Sequence, residues 1–380
     1  MNHLPLVLVG VDFRRAATRH RAALAMDEAA CQALMTTLRG HGVSGLVVLE
    51  TCNRTEWLVA SERTTWVAQL LEAHMVHCWQ RAGFDGPAPK PYRFEGEDSV
   101  RHLFRVAAGL ESFVLGERQV AGQLQRAFES ARAAQRSCST LNVLGSWSGR
   151  VVRKLQRRGA HGVESAGVEL LALEAVRRRC GQHARIGVVG LGEIGQRCVH
   201  LFAQRGHSVQ RYNRSPGVRG ALPLEAIAEH CEQLDALVVA TGARTAWLER
   251  AHLGAQLPVI VDIGSPQQVT ASLADAAETI DLDALLVGQR PVDQHRREAL
   301  EGEVELGLAD FRLSEVRRGL RHVVEQNQRT YEELAYARLP EALEGLGAVD
   351  PKEVEAKMRS LLRDYSRAVL RAVEDSSEAS

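Results

Sequence analysis

The turn Gly190-Leu191-Gly192-Glu193-Ile194-Gly195 constrains this chain more than any other stretch. It follows Arg185-Ile186-Gly187-Val188-Val189, an apolar run of strand length, and opens an amphipathic stretch through Ala203. Glycines at this spacing, between a strand and a helix, let the backbone approach a pyrophosphate at the helix N-terminus. In that context the motif predicts an α/β unit of Rossmann type, with a helix from about Ser165 to Cys180 leading into it. The next strand, Ser208 to Tyr212, ends in Asn213-Arg214-Ser215. An NAD-specific site usually places an acid near that point to hold the ribose 2′-hydroxyl, whereas an arginine and a serine suit a 2′-phosphate and favour NADP(H). Alone, Arg214 reads equally well as a solvated loop charge; the glycine turn tips the reading. Ala236 to Ala240, followed by Thr241-Gly242-Ala243, and Val259 to Asp262 read as later strands whose ends face the same crevice.

The remaining length demands more than this one unit. At 380 residues the chain is long enough for two or three domains. Lys plus Arg equals Asp plus Glu at 47 each, so no global basic field announces a nucleic-acid partner. Seven scattered cysteines, with no CxxC pair, argue against a disulfide framework and against a zinc site, so no metal is expected. A reducing cytoplasm fits them best. No apolar stretch approaches the roughly 20 residues of a membrane span, so a soluble, unprocessed chain is expected.

The N-terminal part alternates between strand and helix patterns. Leu6 to Val11 reads as a strand, Ala22 to Leu38 as a helical stretch, Gly45 to Leu49 and Trp57 to Ala60 as strands, and Thr65 to Trp79 as an amphipathic helix. Between the second and third strands lies Glu50-Thr51-Cys52-Asn53-Arg54-Thr55-Glu56. This places a thiol at a strand end beside a fixed positive charge, which favours the nucleophilic thiolate. By itself a cysteine is more often a small buried hydrophobe.

From Asp98 the pattern turns helical, with Gly109 as an interruption and helices over about Glu117 to Ala134 and Val143 to Arg158. Glu111 to Gln119 mixes donors and acceptors with apolar residues, as a binding edge would. Arg150, Arg153, Lys154, Arg157 and Arg158 form a basic stripe, ordinarily a solvated helix face and otherwise a contact for phosphates. Residues 293 to 339 lack proline and predict one very long helix, with Gly302, Gly307 and Gly319 as weak points. Its length suits a spine or a dimer surface. A last helix is expected from Lys352 to about Glu374, with a disordered tail.

Taken together, Thr51 to Glu56, His102 to Gln119, Gln123, Gly190 to Gly195, Asn213 to Ser215 and Val261 to Pro266 resemble glutamyl-tRNA reductase, in the right order over about residues 5 to 290. The resemblance implies NADPH-dependent reduction of glutamyl-tRNA to glutamate-1-semialdehyde through a cysteine thioester, the first step of five-carbon tetrapyrrole biosynthesis. It implies that Cys52 is the nucleophile and His102 a second catalytic residue, although a lone helix histidine is more often a core group. It implies that Arg54 pairs with a substrate carboxylate and that Thr51, Asn53, Ser112, Glu117, Arg118, Gln119 and Gln123 line a glutamyl pocket. Gly190, Leu191, Gly192, Glu193, Ile194 and Gly195, with Asn213, Arg214 and Ser215, would hold NADPH. The implied organisation is a catalytic domain over 1–158, an NADP-binding domain over 159–290 and a helical dimerisation region over 291–380. A homodimer is implied, with the downstream aminomutase that receives the aldehyde as a further partner. The chain departs from the family pattern at Asp12 to Thr18 and at Gln156 to Ala160. Those departures keep two alternatives open: reduction of another acyl ester, and a silent relative that binds tRNA or a partner enzyme.

Overall fold

The computed structural model describes residues 4–84, 87–113, 115–117, 119–157, 167–215, 220–243, 245–286, 294–343, 350, 352–360, 363, 364 and 367, with side chains beyond residue 319 described in part. Residues 1–305 form one compact unit and residues 306–380 a second.

The first unit holds two sheets. The N-terminal sheet is built from β1 (Leu6–Asp12), β2 (Val43–Glu50), β3 (Arg54–Ser61) and β4 (Tyr92–Glu95), in the order β2-β3-β1-β4. All its pairings are antiparallel. β1 and β3 are buried at every position, as strands covered on both faces must be. Along one face Val7, Val9, Val11, Trp57 and Val59 pack with residues of α2 (Glu28–Arg39) and α3 (Thr64–Arg81), among them Met35, Leu38, Leu71 and Met75. Of the helical stretch expected over Ala22 to Leu38, residues 23–27 are not helical: Ala22 ends α1 (Thr18–Ala22), and α2 begins only at Glu28. The chain breaks between them because Asp27 accepts from the backbone N–H of Ala30 and starts α2 afresh. β4 had no sequence expectation; four residues beside a proline-rich loop carry too little pattern.

Three helices follow: α4 (Glu97–Ala107), α5 (Gln119–Ala133) and α6 (Ser139–Arg157). α4 ends at Gly109, whose φ of +72° and close approach to Glu117 N, 2.5 Å from where a Cβ would stand, leave room for glycine alone. Of the basic stripe, Arg150 lies over the Trp147 ring, and Arg158 falls outside the described residues.

The second sheet is parallel, built from β5 (Arg185–Val189), β6 (Ser208–Tyr212), β7 (Ala236–Val239), β8 (Val259–Asp262) and β9 (Thr279–Asp281) in the order β6-β5-β7-β8-β9. α7 (Val168–Cys180) leads into it and α8 (Glu193–Gln204) follows the glycine turn. α9 (Ala226–His230), α10 (Ala271–Ala276) and α11 (Leu282–Leu286) complete this half. The strand order reverses between β5 and β7, the place where open α/β sheets form a ligand crevice.

α12 (Gln294–Leu343) is one helix of 50 residues, longer than expected because it continues through Pro340. Its start belongs to the first unit, where Arg101 pairs with Glu305, and Arg105 with Glu301 at 3.4 Å. In the last region residues 352–360 are helical, and the expected tail lies outside the described residues.

Candidate functional site

The glycine turn stands where β5 ends. Gly190 has φ +89°, and a Cβ there would lie 2.7 Å from Thr241 Cγ2. A Cβ on Gly195 would lie 1.8 Å from the Gly190 carbonyl oxygen, so α8 packs against the turn only because that position is bare. Gly192, the N-cap of α8, faces open space, as does Gly242 after β7. These are the three jobs that glycines do in a dinucleotide turn. At the end of β6, Asn213 is half-buried while Arg214 and Ser215 are exposed, with no acid beside them. The residues present therefore fit a phosphorylated dinucleotide.

Cys52 sits in the hairpin turn between β2 and β3. Thr51 shapes that turn: its N–H donates to the Arg54 carbonyl at 2.9 Å, and its Oγ1 accepts from the N–H groups of Asn53 and Arg54 at 3.0 and 3.1 Å. Thr51 and Cys52 line a crevice of about 420 Å³ whose other wall comprises Gly192, Glu193, Ile194, Ala240, Thr241, Gly242 and Ile263 to Pro266. Gln119 and Gln123 line it as well. The crevice thus joins the hairpin turn of one sheet to the C-terminal strand ends of the other. Asp262 shapes part of the far wall by accepting from the backbone N–H groups of Gly264, Gln268 and Val269. Burial lifts its carboxyl to about 6 against those hydrogen bonds.

The Cys52 thiol donates to Asn53 Oδ1 at 3.5 Å, and Asn53 Nδ2 donates to Glu117 Oε2 at 3.2 Å. Burial pushes the thiol up to about 12; Glu117 adds to the rise, and Arg21 and then Arg54 oppose it. Burial likewise raises Glu117 to about 7. With its amide nitrogen turned toward Glu117, Gln119 donates to Oε1 at 3.0 Å and accepts from Arg197 Nη1 at 3.0 Å.

Two other expected residues, Arg54 and His102, belong to a second, buried cluster. Glu56 Oε1 takes Arg54 Nη1 at 2.9 Å, the Tyr92 hydroxyl at 2.5 Å and His102 Nε2 at 2.8 Å. The His102 ring also stacks on Phe94, with centroids 4.4 Å apart. Burial opposes the Glu56 charge, but His102 and Arg54 outweigh it and hold the carboxyl at about 2. Arg54 Nη2 donates to the Glu111 carbonyl. Arg54 is thus tied to Glu56 and Glu111, and it opposes the rise in the Cys52 thiol less than Arg21 does. Its Nε and the Ser112 hydroxyl are buried with no hydrogen-bond partner among the described residues. Asn53, Arg54, Ser112, Glu117 and His102 are buried and do not line the crevice, and Arg118 lies outside the described residues.

Sequence reasoning missed Arg21. It is 1% exposed, lines the crevice and donates from Nη2 to the Cys52 carbonyl at 2.7 Å. Its neighbours Arg19 and His20 make the stretch read as a solvated charged turn, so no local signal marks it.

Fold and site together define a class: an α/β protein of the dinucleotide-binding kind whose glycine turn shares a crevice with a cysteine on a separate sheet. The family model described as glutamyl-tRNAGlu reductase, N-terminal domain, matches residues 9–157, and that described as shikimate/quinate 5-dehydrogenase matches residues 172–286. A glutamyl-tRNA reductase of Thermomicrobium roseum is 30% identical over 392 residues, 96% of this chain and 89% of that protein. On that likeness the chain belongs to the glutamyl-tRNA reductase family. The alignment with the Solibacter usitatus glutamyl-tRNA reductase, 30% identical over 208 residues, spans 54% of this chain and 49% of that protein. The solved glutamyl-tRNA reductase of Methanopyrus kandleri is 21% identical with a TM-score of 0.45, over 98% of this chain and 99% of that one. No described helix is long and apolar enough to cross a membrane.

Proposed function

We propose that this chain reduces glutamyl-tRNA to glutamate-1-semialdehyde with NADPH, the step that opens five-carbon tetrapyrrole synthesis. The observation that carries the reading is the single crevice lined by both Cys52 and Gly192 to Ile194. Gly190 to Gly195 would hold the pyrophosphate, and Asn213, Arg214 and Ser215 the 2′-phosphate. When bound, the reduced nicotinamide would supply a hydride for the acyl carbon; with the C–S bond broken the aldehyde is freed, and the thiolate takes up a proton from water.

The chain's own residues prepare that carbon. Cys52 Sγ forms a bond to the glutamyl carbonyl carbon, the ester C–O bond breaks, and the ribose oxygen of the departing tRNA takes up the proton that the thiol gave up. The resulting thioester has less resonance stabilisation than an oxygen ester, so covalent capture divides a hard step into two. Arg54 Nε and the Ser112 hydroxyl, without a hydrogen-bond partner among the described residues, are suited to the glutamyl carboxylate, but both lie behind the crevice wall, which must shift to admit it. Thr51, Asn53, Glu117, Arg118, Gln119 and Gln123 complete the substrate residues in this reading. His102 enters through Glu56, which it helps to fix against Arg54.

The same reading divides the chain into a catalytic part over 1–158, an NADP-binding part over 159–290 and a dimerisation part over 291–380, in the cytoplasm. Leu306 and Val316 on α12 are 52% and 56% exposed, which suits a surface that a second copy covers. Sedimentation of the purified chain tests the homodimer, and co-purification tests transfer to an aminomutase. The central test is mass spectrometry of the protein mixed with glutamyl-tRNA and no NADPH. A glutamyl adduct on Cys52 is expected, followed by aldehyde once NADPH is added; a Cys52→Ser protein that still makes aldehyde would sink the mechanism.

A further inference from the structure

A buried cation stands closer to the function of Cys52 than Arg54 does. Arg21, in α1, donates from Nη1 to the Ala16 carbonyl at 2.5 Å, and from Nη2 to Thr18 Oγ1 at 2.9 Å and to the Cys52 carbonyl at 2.7 Å. Its Nη1 lies 3.9 Å from Asp283 Oδ1. Asp283, in α11 of the other half of the unit, accepts from Thr18 N at 2.9 Å and from Thr18 Oγ1 at 3.0 Å. Thr18 therefore takes hold of both the guanidinium and the carboxylate, across 265 residues of sequence.

We propose that Arg21 is the positioning residue for Cys52: it anchors the carbonyl of the hairpin turn and faces the thiol with its charge, while Thr18 and Asp283 lock the guanidinium in place. The inference rests on the reading of Cys52 as the nucleophile. The groups that bear on Cys52 are Glu117 from the loop before α5, Arg21 and Arg54. Those that bear on Arg21 are Asp283, Cys52 and Asp12, with Arg54 opposing them. Arg54 has its charge answered at 2.9 Å by Glu56, whereas Asp283 stands 3.9 Å from Arg21, so Arg21 presents the less neutralised field to the sulfur. The fork of Arg21 supplies geometry as well as charge, because its two terminal nitrogens hold three oxygens on two different segments.

The test is the rate of Cys52 alkylation by iodoacetamide at pH 8, read on the Cys52 peptide of the full chain without tRNA or NADPH. Arg21→Met should slow it about three- to tenfold, since each unit of rise in the thiol costs about tenfold in thiolate and returns part of that in nucleophilicity. Arg21→Met protein that alkylates at the normal rate or faster overturns the proposal. Because Arg21 is buried, Asp283→Ala serves as the milder variant; its side chain is 35% exposed. Removing a negative charge should by itself favour the thiolate, so slower alkylation in Asp283→Ala signals a displaced Arg21, and faster alkylation overturns the lock. Arg21→Lys keeps the charge without the fork, and should lower kcat for glutamyl-tRNA reduction while KM stays near normal; an unchanged kcat overturns the anchoring role. Alkylation needs no substrate, so it stands apart from whether Cys52 carries an acyl group.

Discussion

The two sheets meet at one crevice and contribute to it in opposite ways. The parallel sheet offers backbone: Gly190, Gly192 and Gly242 present peptide groups that a side chain would cover or crowd. The antiparallel sheet offers its hairpin turn and, behind that wall, charge: Arg54 and Glu56 lie side by side on β3, both buried, outside the crevice lining, and held by partners from three other segments. A backbone site depends on what is missing, and added volume damages it. A charge site depends on complete pairing, and the loss of one member leaves the others stranded.

Four substitutions sharpen that contrast. Glu56→Gln should do most harm, about 3–5 kcal/mol of unfolding free energy, because it leaves Arg54 a buried charge without its counter-ion; urea unfolding at pH 7 measures it. Gly195→Ala should cost about 1–3 kcal/mol by overpacking against the Gly190 carbonyl, and should also weaken NADPH binding in a fluorescence titration. Arg214→Asp should leave stability nearly untouched and lower NADPH affinity about tenfold, roughly 1.4 kcal/mol, with a relative gain for NADH. The last substitution is read in pH dependence. Glu117, raised from 4.5 to about 7, contributes stability that is complete below 4.5 and lost as pH climbs through about 7. Glu56, held near 2, contributes stability that is complete above 4.5 and lost as pH falls toward 2. Glu117→Gln should therefore flatten the decline in Tm between pH 5 and 7.5 and leave the acid limb intact. If the acid limb changed as well, the two glutamates would not be independent.

The same contrast explains what could be read from the amino-acid order. Gly190 to Gly195 act on neighbours a few residues away, so their spacing between a strand and a helix was legible and the structure places them as expected. Thr51 likewise shapes its own turn. Arg21 acts on Cys52, 31 residues away, and stands beside Asp283, 262 residues away, and nothing next to it in the chain reports either partner. His102 alone read as an ordinary core histidine of a helix, and only the resemblance singled it out; its partner Glu56 lies 46 residues earlier, and only the fold shows that the ring is turned to that carboxylate. The break between α1 and α2 escaped because an apolar pattern continued across it, while the Asp27 cap was too brief a signal against that background.

The hairpin that carries Cys52 has one more consequence, in kinematics. Its strands pair from Gly45↔Ala60 to Glu50↔Thr55, and the turn between them is bound by three hydrogen bonds to or from Thr51. A sulfur mounted this way has almost no travel of its own. An acyl group transferred to it must find its next position by rotation about the Cα–Cβ, Cβ–Sγ and new S–C bonds, three torsions turning on a stationary pivot. On the proposed mechanism the acyl carbon sits one bond from the sulfur whatever the chain beyond it, so the hairpin sets where that carbon can meet a hydride, and an acyl group one methylene longer or shorter than glutamyl would change only where its far carboxylate can lie.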